Sequence, residues 1–315
     1  MSVEEGWQRR VAVVPLDPDA AARLIGQPVT DVQLLAGGLR NSNYRVRLGS
    51  GDAVLRIYTA DAAACAREST LFALLRDSVP VPRLLEACCD ADPPFALVEL
   101  VAGVRFDHLP PAALAAASFD AGRVLARIHA FPLEQASGVD LNRYSGPTYD
   151  FVEFIESTLH SGVLPRRLGL ERAQLFRRVI REHSPRLAIQ DTTLQHSDYK
   201  PWNLLVRDGK IAAVLDWEFA FAGPRLNDLA NFLRHSERQP PAYRTEFERG
   251  YLAGGGTLPD DWFRLARLTD LMSLCEFLSR SDADPAIARD VVPLIERTMD
   301  LFAGSRAPIP DTPHQ

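Results

Sequence analysis

Lysine is almost missing from this chain: Lys200 and Lys210 are the only two among 35 basic residues, and arginine supplies the rest. No Lys/Arg block is long enough to form a basic stripe, and the formal net charge is −6. Affinity driven by neutralising a phosphate backbone is therefore excluded, and no nucleic-acid partner is expected. Cysteine is also scarce. Cys65, Cys88, Cys89 and Cys275 form no C-x-x-C pair, and adjacent Cys88-Cys89 is poorly placed for an ordinary disulfide or a zinc site. A reducing cytoplasm fits that usage. No uncharged apolar run reaches the ~18 residues a membrane span needs, and no membrane partner is expected. The start, Met1-Ser2-Val3-Glu4-Glu5, lacks the basic and apolar regions of a signal peptide, which again points to the cytoplasm.

What is present is ordinary globular material, with 46% apolar and 24% charged residues in 315. Single cores usually stop growing near ~250–300 residues, so two lobes are expected. Residues 31–58 read as an antiparallel meander: Val32–Leu35, a Gly37-Gly38 turn with Asn41-Ser42-Asn43, Tyr44–Leu48, then Ala53–Tyr58. From 61 to 76 the period becomes helical, and Glu68 shares the inward face of Leu71 and Leu75. A carboxylate on an apolar face needs a partner, and Arg56 on the third strand is the expected one, the alternative being that Arg56 turns outward and Glu68 pairs with Arg67 or another neighbour. Phe95–Val101 reads as a strand ending at a hinge, Ala102-Gly103. Helical patterns then cover 112–130, 148–160, 171–183, 226–235, 243–253, 261–280 and 285–303. Between them, Leu204–Val206 and Ile211–Leu215 flank Asp208-Gly209, a two-residue hairpin signal.

Chemistry concentrates in His196-Ser197-Asp198-Tyr199-Lys200-Pro201-Trp202-Asn203 and, beyond the hairpin, Asp216-Trp217-Glu218, a pattern H-x-D-x-x-x-x-N … D. Phosphoryl transfer asks a protein for one carboxylate at the acceptor hydroxyl and for oxygen ligands on magnesium. Pairing Arg207 with Lys210 across the turn sets Asn203 opposite Val214 and makes Asp216 its diagonal neighbour, roughly 7–8 Å away on one face. Two hard oxygen ligands brought together suit Mg2+.

These residues resemble the aminoglycoside phosphotransferase and choline kinase family, whose fold is related to the protein kinases, and the likeness covers most of the chain. Gly37-Gly38-Leu39-Arg40-Asn41-Ser42-Asn43 is similar to the family's phosphate loop, although a bare Gly-Gly also suits an ordinary hairpin turn. Phe95–Gly103 resembles its hinge and Leu125–His129 its central helix. The resemblance implies an α+β, two-lobe, protein-kinase-like fold, with a β-rich nucleotide lobe through 102, a mainly helical catalytic and substrate lobe over 103–305, and a disordered tail over 306–315. It further implies an ATP-dependent phosphotransferase using Mg2+, with Asp198 as base and Asn203 and Asp216 on metal. Gly37, Gly38, Asn41, Ser42, Asn43, Arg56 and Glu68 would serve the phosphates, and the backbone of Glu99 to Val101 the adenine. The partner is a small-molecule hydroxyl acceptor: an antibiotic such as an aminoglycoside, an amino alcohol, homoserine or a sugar.

Ser197 and Glu218 stand where protein kinases carry Arg and Gly, and no A-P-E follows, which disfavours a protein substrate. Arg56 stands where most kinases have Lys, so a nucleotide-binding pseudokinase is the alternative. Arg40 is a rival to Arg56 for the phosphates. His196 and His129 read as structural hydrogen-bonders, Trp202 as packing, and Asp228 as the cap of the Leu229–Leu233 helix. Glu153, Asp270 and Glu276 could hold a cationic substrate, yet such charges mostly belong to solvated helix faces. Oligomeric state has no signal.

Overall fold

The computed structural model describes residues 9, 11–35, 38, 40–141, 151–160, 163–187, 192–280 and 285–303. The segment 306–315, expected to be a disordered tail, lies outside them. Regular structure begins at α1 (Pro18–Ile25), where the Asp17 carboxylate accepts from the Ala20 amide and Pro18 presets the first turn. Gly26, at φ 66°, ends it in the left-handed conformation that glycine adopts without cost.

Five strands follow, interrupted by one helix: β1 (Val29–Leu34), β2 (Ser42–Leu48), β3 (Gly51–Ile57), α2 (Ala62–Leu75), β4 (Leu84–Cys88) and β5 (Phe95–Glu99). They form one sheet in the order β1-β2-β3-β5-β4, with every neighbouring pair antiparallel. The period-2 alternation of β2 and β3 puts Val46, Leu48, Leu55 and Ile57 into a core shared with Ala21 and Ile25 of α1. The same alternation leaves Arg56 on the other face, directly across from Asn43. Asp61 caps α2 through the Ala63 amide, and the helix buries Leu71, Leu75 and Glu68 together.

Cys65 of α2 and Cys89, just beyond β4, form a disulfide with Cα atoms 5.5 Å apart, while Cys88 is free and exposed. The partner of Cys89 is a residue 24 positions away rather than its neighbour, a pairing that spacing alone does not display.

The remaining elements are β6 (Val104–Arg105), α3 (Pro111–His129), α4 (Phe151–His160), α5 (Val163–Leu168), α6 (Leu170–Leu187), β7 (Thr192–Gln195), β8 (Leu204–Arg207), β9 (Lys210–Val214), β10 (Phe221–Pro224), α7 (Leu226–Leu233), α8 (Pro241–Ala253), α9 (Trp262–Arg280) and α10 (Pro285–Ala303). β6, β8 and β9 make a small sheet, and β7 pairs with β10. The chain divides into two compact units, Met1–Gly146 with Asp191–Pro259, and Pro147–Gln190 with Asp260–Gln315. The first holds all three sheets, α1 to α3, α7 and α8. The second is built from α4, α5, α6, α9 and α10, with Ile155, Phe176, Ile180, Leu271, Leu274 and Ile295 in its interior. Among the described residues no helix is long and apolar enough to cross a membrane.

Candidate active site

The site grows from the loop between β7 and β8. Ser197 takes φ 69°, a left-handed conformation that a non-glycine residue holds only when its surroundings impose it. They do. The Asp228 carboxylate accepts both the His196 and Ser197 amides at 2.7 Å, and Asn231 Nδ2 donates to the Ser197 carbonyl at 3.0 Å. Asp228 lies inside the first turn of α7 and makes no capping bond there, so the cap reading is corrected: its two oxygens fasten the loop. His129 Nε2 approaches the same carboxylate at 3.5 Å and its Nδ1 meets the Tyr251 hydroxyl at 2.8 Å. Burial holds that imidazole below its ordinary pKa. His196 accepts the Asp198 amide on Nδ1 (3.2 Å) and bonds the Leu215 carbonyl through Nε2 (2.9 Å), a structural role as expected.

Asp198 emerges from this clamp with both oxygens engaged. Lys200 Nζ lies 2.6 Å from Oδ1, and Asn203 Nδ2 donates to Oδ2 at 2.7 Å and to the Asp198 carbonyl at 2.9 Å. Burial alone would raise the Asp198 carboxyl, but the Lys200 ammonium, with His196 and Arg234 adding to its pull, holds the group below the usual carboxylate range.

The hairpin turns at Asp208 (φ 52°) and Gly209 (φ 73°), both left-handed as a two-residue turn of this type demands. Arg207 pairs with Lys210 as expected, but a bulge between Leu205 and Val206 shifts the register, and Val214 faces Leu204 instead of Asn203. Asn203 belongs to the 3₁₀ turn Pro201–Asn203, and its carbonyl accepts the Leu215 amide at 2.8 Å. Asp216, at φ 68°, follows directly.

Arg56 joins the sheet to this loop. Its Nε pairs with Glu68 Oε2 at 2.9 Å, its Nη2 with Asp216 Oδ1 at 2.5 Å, and Glu218 Oε1 lies 3.9 Å away. The ion pair expected between Arg56 and Glu68 is present. Glu68 also accepts the Trp217 amide at 2.8 Å and the Tyr58 hydroxyl. Burial raises its pKa while Arg56 opposes the shift.

Glu218 is buried, accepts from Asn41 Nδ2 at 2.9 Å and lies 3.7 Å from Arg40 Nε. Burial and then the Asp216 charge push its carboxyl up to about 7, against the pull of Arg56. Of the other phosphate-loop residues, Gly38 (φ 78°) and Ser42 both bond Arg9, through the Gly38 carbonyl at 2.6 Å and the Ser42 hydroxyl at 3.2 Å. Gly37 lies outside the described residues. Glu99 ends β5 opposite Ala53, its amide bonded to the Arg83 carbonyl at 2.9 Å, and Val101 follows beyond the strand. Glu153, Asp270 and Glu276 belong to the second unit, where Glu153 is exposed and Asp270, read as a candidate solvated charge, is buried.

The structure thus gathers the Asp198 carboxylate with the Asn203 amide, and Arg56 of β3 with the Asp216 carboxylate. The profile of the Phosphotransferase enzyme family matches residues 31–268. The chain belongs to this family. It is an ATP-dependent phosphotransferase acting on hydroxyl groups. None of the curated proteins compared matches the chain. Among solved structures it is similar to the macrolide 2′-phosphotransferase MphH of Brachybacterium faecium, with 21% identity, 89% of this chain and 98% of that one covered, and a TM-score of 0.67. A thermostable mutant of aminoglycoside phosphotransferase APH(4)-Ia with ADP and hygromycin B gives 18% identity, 91% and 99% coverage and a TM-score of 0.69. The streptomycin–ATP complex of APH(2″)-IIa gives 16%, 92% and 99%, and 0.66. At these identities the likeness shows the fold, which is kinase-like.

Sequence reasoning left three residues of this cluster unassigned. Glu218 lies two residues beyond Asp216 and comes within 3.9 Å of the same Arg56 guanidinium. Arg67 is buried and donates to the carbonyls of Glu218 (2.6 Å) and Asp140 (3.0 Å), tying α2 to the segment after Asp216. Its place one residue before Glu68 was the available signal. Lys200 was legible as one of only two lysines, two residues after Asp198.

Proposed function

We propose that this phosphotransferase moves the γ-phosphate of ATP to the hydroxyl of a small molecule, with Asp198 as the general base. The observation that carries this reading is Asp198 itself: a carboxylate held ionised, on a loop fastened by Asp228, within bonding distance of Asn203. An ionised carboxylate accepts the hydroxyl proton as the oxygen attacks, and a positioned base typically contributes ~10²–10⁴-fold. Arg56 would face the phosphates while Glu68 and Asp216 fix its guanidinium. Asn43, directly across from Arg56, and Arg40, 3.7 Å from the neighbouring Glu218, would assist at the phosphates, and Glu99 to Val101 would meet the adenine.

Asn203 and Asp216 offer an amide and a carboxylate oxygen, donors that fit Mg2+, and among the described residues no group of three or more His, Cys, Asp or Glu could form a complete cage. That set suits an ion arriving with nucleotide phosphates rather than one resident in the protein. When bound, Mg2+ would neutralise charge on those phosphates. The nucleotide lobe is proposed to end near residue 102, and the enzyme to act in the cytoplasm.

Acceptors in reach of this reading are aminoglycosides and macrolides, as the names of the similar structures suggest, and amino alcohols, homoserine and sugars. The test is an ADP-release screen across these compounds. Magnesium-dependent release above background with at least one acceptor is expected. Nucleotide binding with no transfer to any acceptor would favour the pseudokinase alternative, which Arg56 motivates.

A further inference from the structure

The turn between β1 and β2 carries residues proposed for the phosphates, and other parts of the chain hold it in place. The Thr59 hydroxyl donates to the Arg40 carbonyl at 2.9 Å, and Asn41 Nδ2 donates to Glu218 Oε2 at 2.9 Å. Arg9 holds a third point. Its Nη1 donates to the Gly38 carbonyl at 2.6 Å, its Nη2 to the Ser42 hydroxyl at 3.2 Å and its Nε to the Val11 carbonyl at 2.5 Å. All three nitrogens of one guanidinium are engaged, two of them on the turn, and such charge-assisted bonds in a rigid fork fix geometry as well as adding energy.

Arg9 has a firm base. Beyond it, Val13, Val14 and Leu16 pack against the core shared by α1 and the sheet. The Val14 amide donates to the Ser42 hydroxyl at 3.1 Å, and the Tyr44 hydroxyl donates to the Val14 carbonyl. Ser42 is fully buried, so the two lone pairs of its oxygen are taken by Arg9 and Val14 in place of water. Gly38, by contrast, sits at φ 78°, one of many conformations open to glycine, and a turn built on it needs outside contacts to settle into a single shape. A carbonyl oxygen left free on that turn would also set negative partial charge where phosphates bring their own. The Arg9 guanidinium takes up that oxygen.

We propose that Arg9 is a positioning residue for nucleotide binding, fastening the Gly38 carbonyl to the Ser42 hydroxyl so that the phosphate loop is held in its binding shape. Arg9 lies ahead of residue 31, where the family match begins. The proposal rests on the reading of residues 37–43 as a phosphate loop.

The test measures amide hydrogen exchange in the free enzyme and Mg-AMP-PNP binding by calorimetry, in wild type, Arg9→Ala and Arg9→Lys, with thermal melting to verify folding. In Arg9→Ala, exchange over residues 38–43 should quicken about tenfold while residues 44–57 of β2 and β3 keep their rate. Mg-AMP-PNP should weaken on the order of tenfold, about the worth of one charge-assisted hydrogen bond, because the loop spends correspondingly less time in place. Arg9→Lys, which keeps the charge but has one nitrogen, should recover only part of either loss and serves as the second variant should the alanine variant not fold. Full recovery in Arg9→Lys would assign the effect to charge alone and overturn the positioning role. Faster exchange across the whole sheet with unchanged affinity would show a merely structural residue and overturn it too, as would unchanged or tighter binding in Arg9→Ala. Failure of the wild type to bind Mg-AMP-PNP would instead overturn the phosphoryl-transfer reading, and this proposal with it.

Discussion

Arg56 is held from two sides by carboxylates of unequal burial: the Glu68 side chain is 1% exposed and that of Asp216 26%. Removing Arg56 leaves a charge inside the protein with only the Trp217 amide and Tyr58 hydroxyl to satisfy it, and breaking a buried pair in this way typically costs ~3–5 kcal/mol. Removing Glu68 leaves Arg56 still bound to Asp216. Arg56→Ala should therefore be the more damaging variant in both denaturant stability and ATP use, and Glu68→Ala the milder. The double variant should fall short of their sum because both act on one network. Additive losses would show that the two residues work separately. A second residue-scale expectation concerns Asp228. Its carboxylate is the acceptor for the buried His196 amide and the partly buried Ser197 amide, and a buried amide left orphaned costs ~1–3 kcal/mol, so Asp228→Ala should lower both stability and turnover. Asp228→Asn, which keeps one oxygen, should lose less of each. Steady-state kinetics beside urea unfolding reads both, and unchanged turnover in a folded Asp228→Ala would remove the residue from support of the catalytic loop.

At the scale of elements, the catalytic loop rests on α3, where the Tyr199 hydroxyl donates to the Ala121 carbonyl at 2.8 Å, and α3 in turn packs on α8. The two helices approach so closely that a Cβ on Gly250 would collide with the Phe119 carbonyl, and one on Gly122 with that of Phe247. Overpacking usually costs ~1–3 kcal/mol and more where backbone must move, so Gly250→Ala should lose about 3 kcal/mol or more in chemical denaturation. A loss below about 1 kcal/mol would mean the helices can separate freely. This crossing was invisible in the sequence, where glycine inside a helical pattern carries no sign of what faces it. Elements written in a clear period were legible: β2 and β3 by alternation, α2 and α3 by helical spacing, the Asp208-Gly209 turn by its dipeptide. Those that depend on a distant partner were not. β7 and β10 are four residues each and pair although 25 residues of loop and hairpin separate them in the chain. The bulge at Leu205/Val206 has no local signature, and it moved Asn203 from its expected partner. The Cys65–Cys89 bond likewise depends on β4 lying beside α2.

For the molecule as a whole, charge and composition made nucleic-acid and membrane partners unexpected, while the H-x-D-x-x-x-x-N … D pattern pointed to the reaction class. The pattern is readable because its residues are close in sequence. Acceptor choice is not written this way, since it depends on side chains that folding gathers from separate segments, and the second unit alone draws on two stretches of chain. The most direct test of phosphoryl transfer through this site is the turnover of Asp198→Asn, measured as ADP release with the acceptor found by screening, beside ADP affinity and thermal melting. Asparagine keeps the shape and loses the base. Turnover should fall by ~10² or more with ADP affinity and folding retained. Near-normal turnover in a folded Asp198→Asn enzyme would contradict the assignment of Asp198 as the group that takes the proton.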